Sequence, residues 1–180
     1  LGIERMGSPD TVRRLFRRFD YRELTEISER LMRFSLSSMR PILLGHTLDL
    51  DSTVLCRYGE QQGSLKGYNP KRPGRPSHHP LVGFLAESRR LLWATLRSGN
   101  SGSANGCVEF LKQAQTVLPQ GHRIGLIRAD AGFFDKRLLE YLEGEDLPYI
   151  IVARLTAVVR KLVIDQMPAL GWRWVARGID

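Results

Sequence analysis

Cysteine is nearly missing from this chain: Cys56 and Cys107 are its only two, far apart and outside any C-x-x-C spacing. Such a pair builds neither a disulfide framework nor a zinc knuckle, so both are read as free thiols. Long apolar runs are missing as well. No stretch approaches the roughly 20 residues of a membrane span, and the start lacks a basic patch followed by an apolar signal core. These gaps point to a cytoplasmic protein with no membrane partner. Acid is the minority charge, with 19 Asp plus Glu against 27 Lys plus Arg and a net charge of +8. A field of that sign, with a pI near 10.0, attracts polyanions and makes nucleic acid the natural partner.

What is present is enough for a real core. Hydrophobic residues make up 42% and charged residues 26% of the 180, close to the averages for folded soluble chains. Residues 1–40 read as an amino-terminal helical segment. Ser8-Pro9-Asp10 supplies an N-cap with proline at the first helical position, and Val12, Leu15, Phe16 and Phe19 recur at helical spacing. Arg13, Arg14, Arg17 and Arg18 fill the other face. A second helix runs from Tyr21 to about Phe34, with Leu24, Ile27, Leu31 and Phe34 as its apolar stripe.

Residues 41–155 read as one α/β core. The alternation from Thr47 to Leu55 predicts a strand with Leu48 and Leu50 on one face and Asp49 and Asp51 on the other. Residues 57–79, rich in Gly, Pro and Lys/Arg without apolar period, read as a long loop. Leu81 to Ala86 and Arg90 to Arg97 form a predicted hairpin, followed by a helix over Ala104 to Val117. Arg123 to Ala129 is a buried strand that delivers Asp130 at its C-terminal end. A helix over Phe134 to Glu143 and a strand over Tyr149 to Arg154 complete the order strand-strand-strand-helix-strand-helix-strand. That order is the ribonuclease H-like mixed sheet, in which the first strand is central and the strand ending at Asp130 can lie beside it. Residues 156–180 read as the start of a further segment, with a short helix to Ile164 and a strand near Trp172 to Val175.

Two carboxylates on neighbouring strands are what a protein needs to hold hard divalent cations around a phosphodiester. Mg2+ or Mn2+ takes oxygen ligands and keeps several waters, so a few carboxylates suffice. Asp51 and Asp130 are the expected catalytic acids and metal ligands, with Asp49 as a further metal residue. Glu140, Glu143 and Glu145 fit a solvated helix face instead. His46, His78, His79 and His122 are read as non-ligands, and Trp93, Trp172 and Trp174 as core or interface aromatics. The 57–79 loop carries Arg57, Lys66, Lys71, Arg72 and Arg75 against the single acid Glu60, with Tyr58 and Tyr68 among them. A basic, aromatic-bearing loop beside the acids is suited to gripping a DNA backbone. Five phosphate contacts give an expected log–log salt slope of roughly −4 to −5.

Leu48-Asp49-Leu50-Asp51-Ser52-Thr53-Val54, Tyr58-Gly59, Lys66-Gly67-Tyr68-Asn69-Pro70, His79-Pro80-Leu81, Gly99-Asn100 and Arg128-Ala129-Asp130-Ala131-Gly132-Phe133 resemble the motifs of bacterial insertion-sequence DDE transposases, in the family's order. The resemblance spans about Ser8 to Leu155. It implies a ribonuclease H-like catalytic domain that cuts transposon-end DNA and joins the freed 3′ hydroxyl to double-stranded target DNA in the bacterial nucleoid, commonly as a homodimer. It also puts the first two catalytic acids at Asp51 and Asp130. The family's third acid, a glutamate on a later helix, is absent here. Leu1 in place of methionine and the end at Asp180 therefore read as a truncated transposase, with a catalytically inactive DNA-binding remnant as the alternative.

Overall fold

The computed structural model describes residues 7–153 and 155–170. The strand predicted at Trp172 to Val175, and Arg154 at the end of another, lie outside the described residues.

The strongest local signals act where they stand. Ser8 caps α1 (Pro9–Phe16), its side chain accepting from Thr11 N, and Asp20 with Glu23 closes a capping box on α2 (Tyr21–Leu36). The apolar periodicity was expected to mark the buried faces of both helices, and it does not. No residue of α1 is buried, and on α2 only Leu36 is. Leu36, with the partly buried Met32 and Met39, reaches the core, while Ile27, Leu31 and Phe34 face solvent. The stripe at 27, 31 and 34 lies about 150°, roughly two-fifths of a turn, away from the docked side. Arg90 anchors the carboxyl end of α2, donating to Ser35 O and to Ser38 Oγ.

Five strands form the main sheet: β1 (His46–Ser52), β5 (Leu81–Leu85), β6 (Arg90–Thr95), β7 (Ile124–Ala129) and β8 (Tyr149–Ile151), in the order β6-β5-β1-β7-β8. β5 runs antiparallel to β1 and β6 to β5, whereas β7 is parallel to β1 and β8 to β7. This is the expected ribonuclease H-like order with β1 at the centre. Leu48 and Leu50 point to the core. There Phe110 of α3 (Cys107–Val117) packs so closely over Gly83 that a methyl group on that glycine would stand 3.1 Å from the Phe110 ring and 3.0 Å from Leu48 Cδ1. Leu138 and Leu142 of α4 (Lys136–Gly144) join the same core. Cys107 is buried, which pushes its thiol up to about 12 and makes it unreactive. α5 (Ala157–Leu170) follows β8 and is longer than expected.

The stretch after β1 is not the featureless loop that its composition implies. β2 (Leu55–Cys56), β3 (Leu65–Lys66) and β4 (Pro76–His78) form a three-stranded antiparallel sheet in the order β2-β4-β3. Each strand is too short for alternation to show. Side chains hold it instead: Asn69, 4% exposed, donates to Cys56 Sγ and accepts from Arg72 N. His78 Nδ1 accepts from Arg57 Nε at 3.0 Å, so its Nε2 carries the proton and donates to Gln62 O.

At the opposite end of β1, His46 is 2% exposed, with Nε2 2.8 Å from His122 Nδ1 and the two rings stacked. Burial and the neighbouring His122 push its pKa below the ordinary value, against a smaller pull from Glu87. An unfolded histidine takes its proton near pH 6.5, and the buried one resists until lower pH. The unfolded chain therefore binds more protons below that point, and stability falls as pH drops from about 7 to about 5.5. Urea unfolding of the parent and of His46→Gln at both pH values checks this. The parent loses more stability on acidification, and equal losses refute the assignment.

Candidate metal and nucleic-acid site

Register decides where the acids lie. Asp49 pairs with Arg128 and Leu50 with Ala129 across the parallel β1–β7 ladder. One step further, Asp51 on β1 neighbours Asp130, whose backbone is still extended (φ −77°, ψ 179°). Strand spacing is about 4.8 Å, so the two acids are lateral neighbours at the C-terminal ends of adjoining strands. They also share a face. The side chains of Asp49 and Arg128 meet, and residues two positions along each strand return to that side.

Each carboxylate is steadied in the same way. Asp51 Oδ1 accepts from Ser52 N at 2.7 Å, and Asp130 Oδ1 accepts from Gly132 N at 2.8 Å, where it caps the 3-10 turn Ala131–Phe133. The second oxygen of each has no hydrogen bond among the described residues, and both side chains are exposed. Two hard oxygen donors held side by side and open to solvent fit Mg2+ or Mn2+, which is bound through one or two carboxylates plus waters and phosphate oxygens. Among the described residues, no group of three or more His, Cys, Asp or Glu suited to a metal ion occurs.

Asp49, expected among the metal residues, is differently employed. Arg128 grips both its oxygens, Nε to Oδ1 at 2.7 Å and Nη2 to Oδ2 at 2.8 Å. These bonds raise the Arg128 pKa further above its ordinary value. The acid thus acts as a clamp between β1 and β7, one step before the open pair.

The basic residues ride on the small sheet, whose first strand starts just beyond β1. Arg72 and Arg75 both lie against the Tyr58 ring, 5.8 Å and 5.2 Å from its centroid. Arg72 also donates to the Tyr58 hydroxyl. Lys66 and Lys71 are exposed and form no ion pair among the described residues. Arg57 is turned toward His78 and is only partly exposed.

Two residues that join the small sheet to the acids, Arg97 and Ser103, carry no signal of that role in the sequence. Arg97 is half buried, and burial lowers its pKa; its guanidinium donates to the carbonyls of His79, Gly102, Ser103 and Asn105. It shapes the 98–106 loop around one cation. Ser103, in that loop, lies 2.9 Å from Ser52 Oγ. A run of Gly, Ser and Asn before a helix reads as a turn, and the burial of the arginine preceding it is visible only in the fold.

A family model described as "Transposase DDE domain group 1" matches residues 3–174. No curated protein matches the chain. Among solved structures, the fold is similar to the piggyBac transposase synaptic complex with hairpin DNA, at 18% identity and TM-score 0.49 over 83% of this chain and 31% of that one. It is also similar to the catalytic domain of Mos1 mariner transposase, at 15% identity and TM-score 0.40 over 88% and 77% of the two chains. The HTLV-2 integrase catalytic core domain in complex with magnesium is similar at 16% identity and TM-score 0.39 over 73% and 80%. The chain thus spans about a third of the piggyBac chain (31%). Among the described residues, no helix is long and apolar enough to cross a membrane.

Proposed function

The chain belongs to the group 1 family of transposase DDE domains, and from that membership we propose that Asp51 and Asp130 hold Mg2+ or Mn2+ against a DNA phosphodiester at a transposon end. DNA transposition is the family's process, and its members are polynucleotidyl transferases. The reaction proposed for the protein that contains this chain is cleavage of the end, followed by strand transfer into double-stranded target DNA. The observation that carries the reading is the register of the two acids, side by side at the ends of parallel strands, each with one oxygen that has no hydrogen bond among the described residues. When bound, the ions supply an activated oxygen nucleophile and neutralise charge on the phosphorus oxygens.

The chain's own residues do the rest. Ser52 and Gly132 orient the carboxylates through their N–H groups, and Asp49 with Arg128 locks the register from which both acids project. Residues 41–155 form the proposed catalytic core. Asp49 is given no ion, since both its oxygens are engaged. Lys66, Lys71, Arg72 and Arg75 hold the DNA backbone, and Arg57 stays within the small sheet.

Strand cleavage of DNA carrying the ends of the encoding element tests this reading. Cleavage that appears with Mg2+ or Mn2+ and vanishes under chelation supports it, and cutting indifferent to chelation rejects it. Four phosphate contacts predict that log affinity falls with log salt at a slope of about −3.6, and Lys66→Gln with Lys71→Gln makes the slope shallower by about 1.8. A slope unmoved by that double substitution removes the small sheet from the DNA interface.

A further inference from the structure

Both carboxylates are oriented by the backbone N–H of a specific neighbour, Ser52 for Asp51 and Gly132 for Asp130. One side chain touches both neighbours. Ser103 Oγ accepts from Ser52 Oγ at 2.9 Å. A methyl group built on Gly132 would stand 2.7 Å from that same Oγ and 3.0 Å from Asp130 Oδ1. The hydroxyl therefore fills the space where a side chain at 132 would go, and no larger group fits between it and the carboxylate. Ser103 is itself held, because Arg97 donates to its carbonyl at 3.0 Å and to those of Gly102 and Asn105.

We infer that Ser103 is a positioning residue that sets the spacing of Asp51 and Asp130 by bridging the two residues whose N–H groups hold them. The inference rests on the metal reading above. Arg97 fixes the loop, the loop fixes the hydroxyl, and the hydroxyl joins the end of β1 to the turn after β7. Neither acid is touched by a substitution at 103, yet the geometry of both depends on it. Residues that orient ligands from behind typically change metal affinity by about 10- to 100-fold when removed.

The test is Mn2+ titration of the full chain, read by paramagnetic broadening of the Ser52 and Gly132 amide signals, with Asp130→Asn as control. Ser103→Ala is expected to weaken Mn2+ binding at least about tenfold while the melting temperature stays within a few degrees, and Ser103→Thr, which keeps the hydroxyl, restores it. Gly132→Ala, which crowds Oγ, weakens binding too, and Ser103→Ala combined with it costs less than the two single changes together because the tightest of the three contacts around the new methyl is gone. Binding lost in Asp130→Asn but unchanged in Ser103→Ala overturns the role of Ser103 and leaves the metal pair standing. A parent chain whose two amide signals ignore Mn2+ overturns both.

Discussion

Asp51→Asn and Asp130→Asn each abolish strand cleavage, by about a thousandfold or more, while DNA affinity and folding stay near parental values. Charge is what these changes remove. An asparagine oxygen still accepts the N–H that Ser52 or Gly132 offers to the carboxylate, so the strand ends keep their shape. The second carboxylate oxygen, however, is replaced by an NH2 group, which carries no negative charge and offers a divalent ion no lone pair. Metal stabilisation of a phosphoryl transition state is worth several kcal/mol, and each ~1.4 kcal/mol is tenfold in rate. Asp49→Asn is the informative contrast. Its carboxylate lies 39% exposed against a guanidinium 50% exposed, and solvent screens such pairs so that they contribute little to stability. A modest loss is therefore expected from Asp49, without abolition. Single-turnover cleavage alongside a binding titration separates the three variants. Cutting at the parental rate by Asp51→Asn removes that acid from the reaction, and a loss in Asp49→Asn equal to the other two would make Asp49 a third ligand.

The contrast among these acids shows how far sequence alone carries. Alternation along Thr47 to Leu55 put Asp49 and Asp51 on one face, and the buried run before Asp130 put that acid at a strand end; both are features of the fold found. What alternation does not contain is register. Arg128 meets Asp49 only because β7 lies beside β1 in one alignment, and a partner 79 positions away leaves no local trace. The helices show a related limit. An apolar stripe reports that a helix has two faces, but α2 docks through Met32 and Leu36 and leaves Ile27, Leu31 and Phe34 in solvent. The small sheet was illegible for a third reason. Strands of two or three residues have no measurable period, and the contacts that hold them (Asn69 to Cys56, His78 to Gln62) are tertiary. Ser103 likewise looked like any turn serine. Its distinction comes from Arg97 folding the loop back onto β1.

Gly99→Ala is expected to cost at least about 3 kcal/mol, a fall in melting temperature of roughly 6–12 °C for a chain of this size, and to weaken DNA binding and Mn2+ binding together. Backbone strain is not the cause. A methyl group at 99 would overlap the carbonyl oxygens of Leu65 and Ser77 and the Ser77 hydroxyl, and one at Gly67 would overlap the Gly99 carbonyl. Those atoms belong to backbone in β3, β4 and the 98–106 loop, or to a fully buried serine, so none can swing aside as a flexible side-chain end would. The two glycines are therefore the place where the small sheet is riveted to the loop that carries Ser103. Forcing them apart moves Lys66, Lys71, Arg72 and Arg75 on one side and the 52–103–132 bridge on the other. Gly144→Ala, with open space around its Cβ position, is the matched control and should be neutral or slightly stabilising. Limited proteolysis distinguishes local detachment from global loss: cleavage appears first within residues 57–79 of Gly99→Ala, before the main sheet is attacked. A Gly99→Ala protein that melts with the parent and binds DNA and Mn2+ unchanged would mean that the small sheet and the acids are mechanically independent.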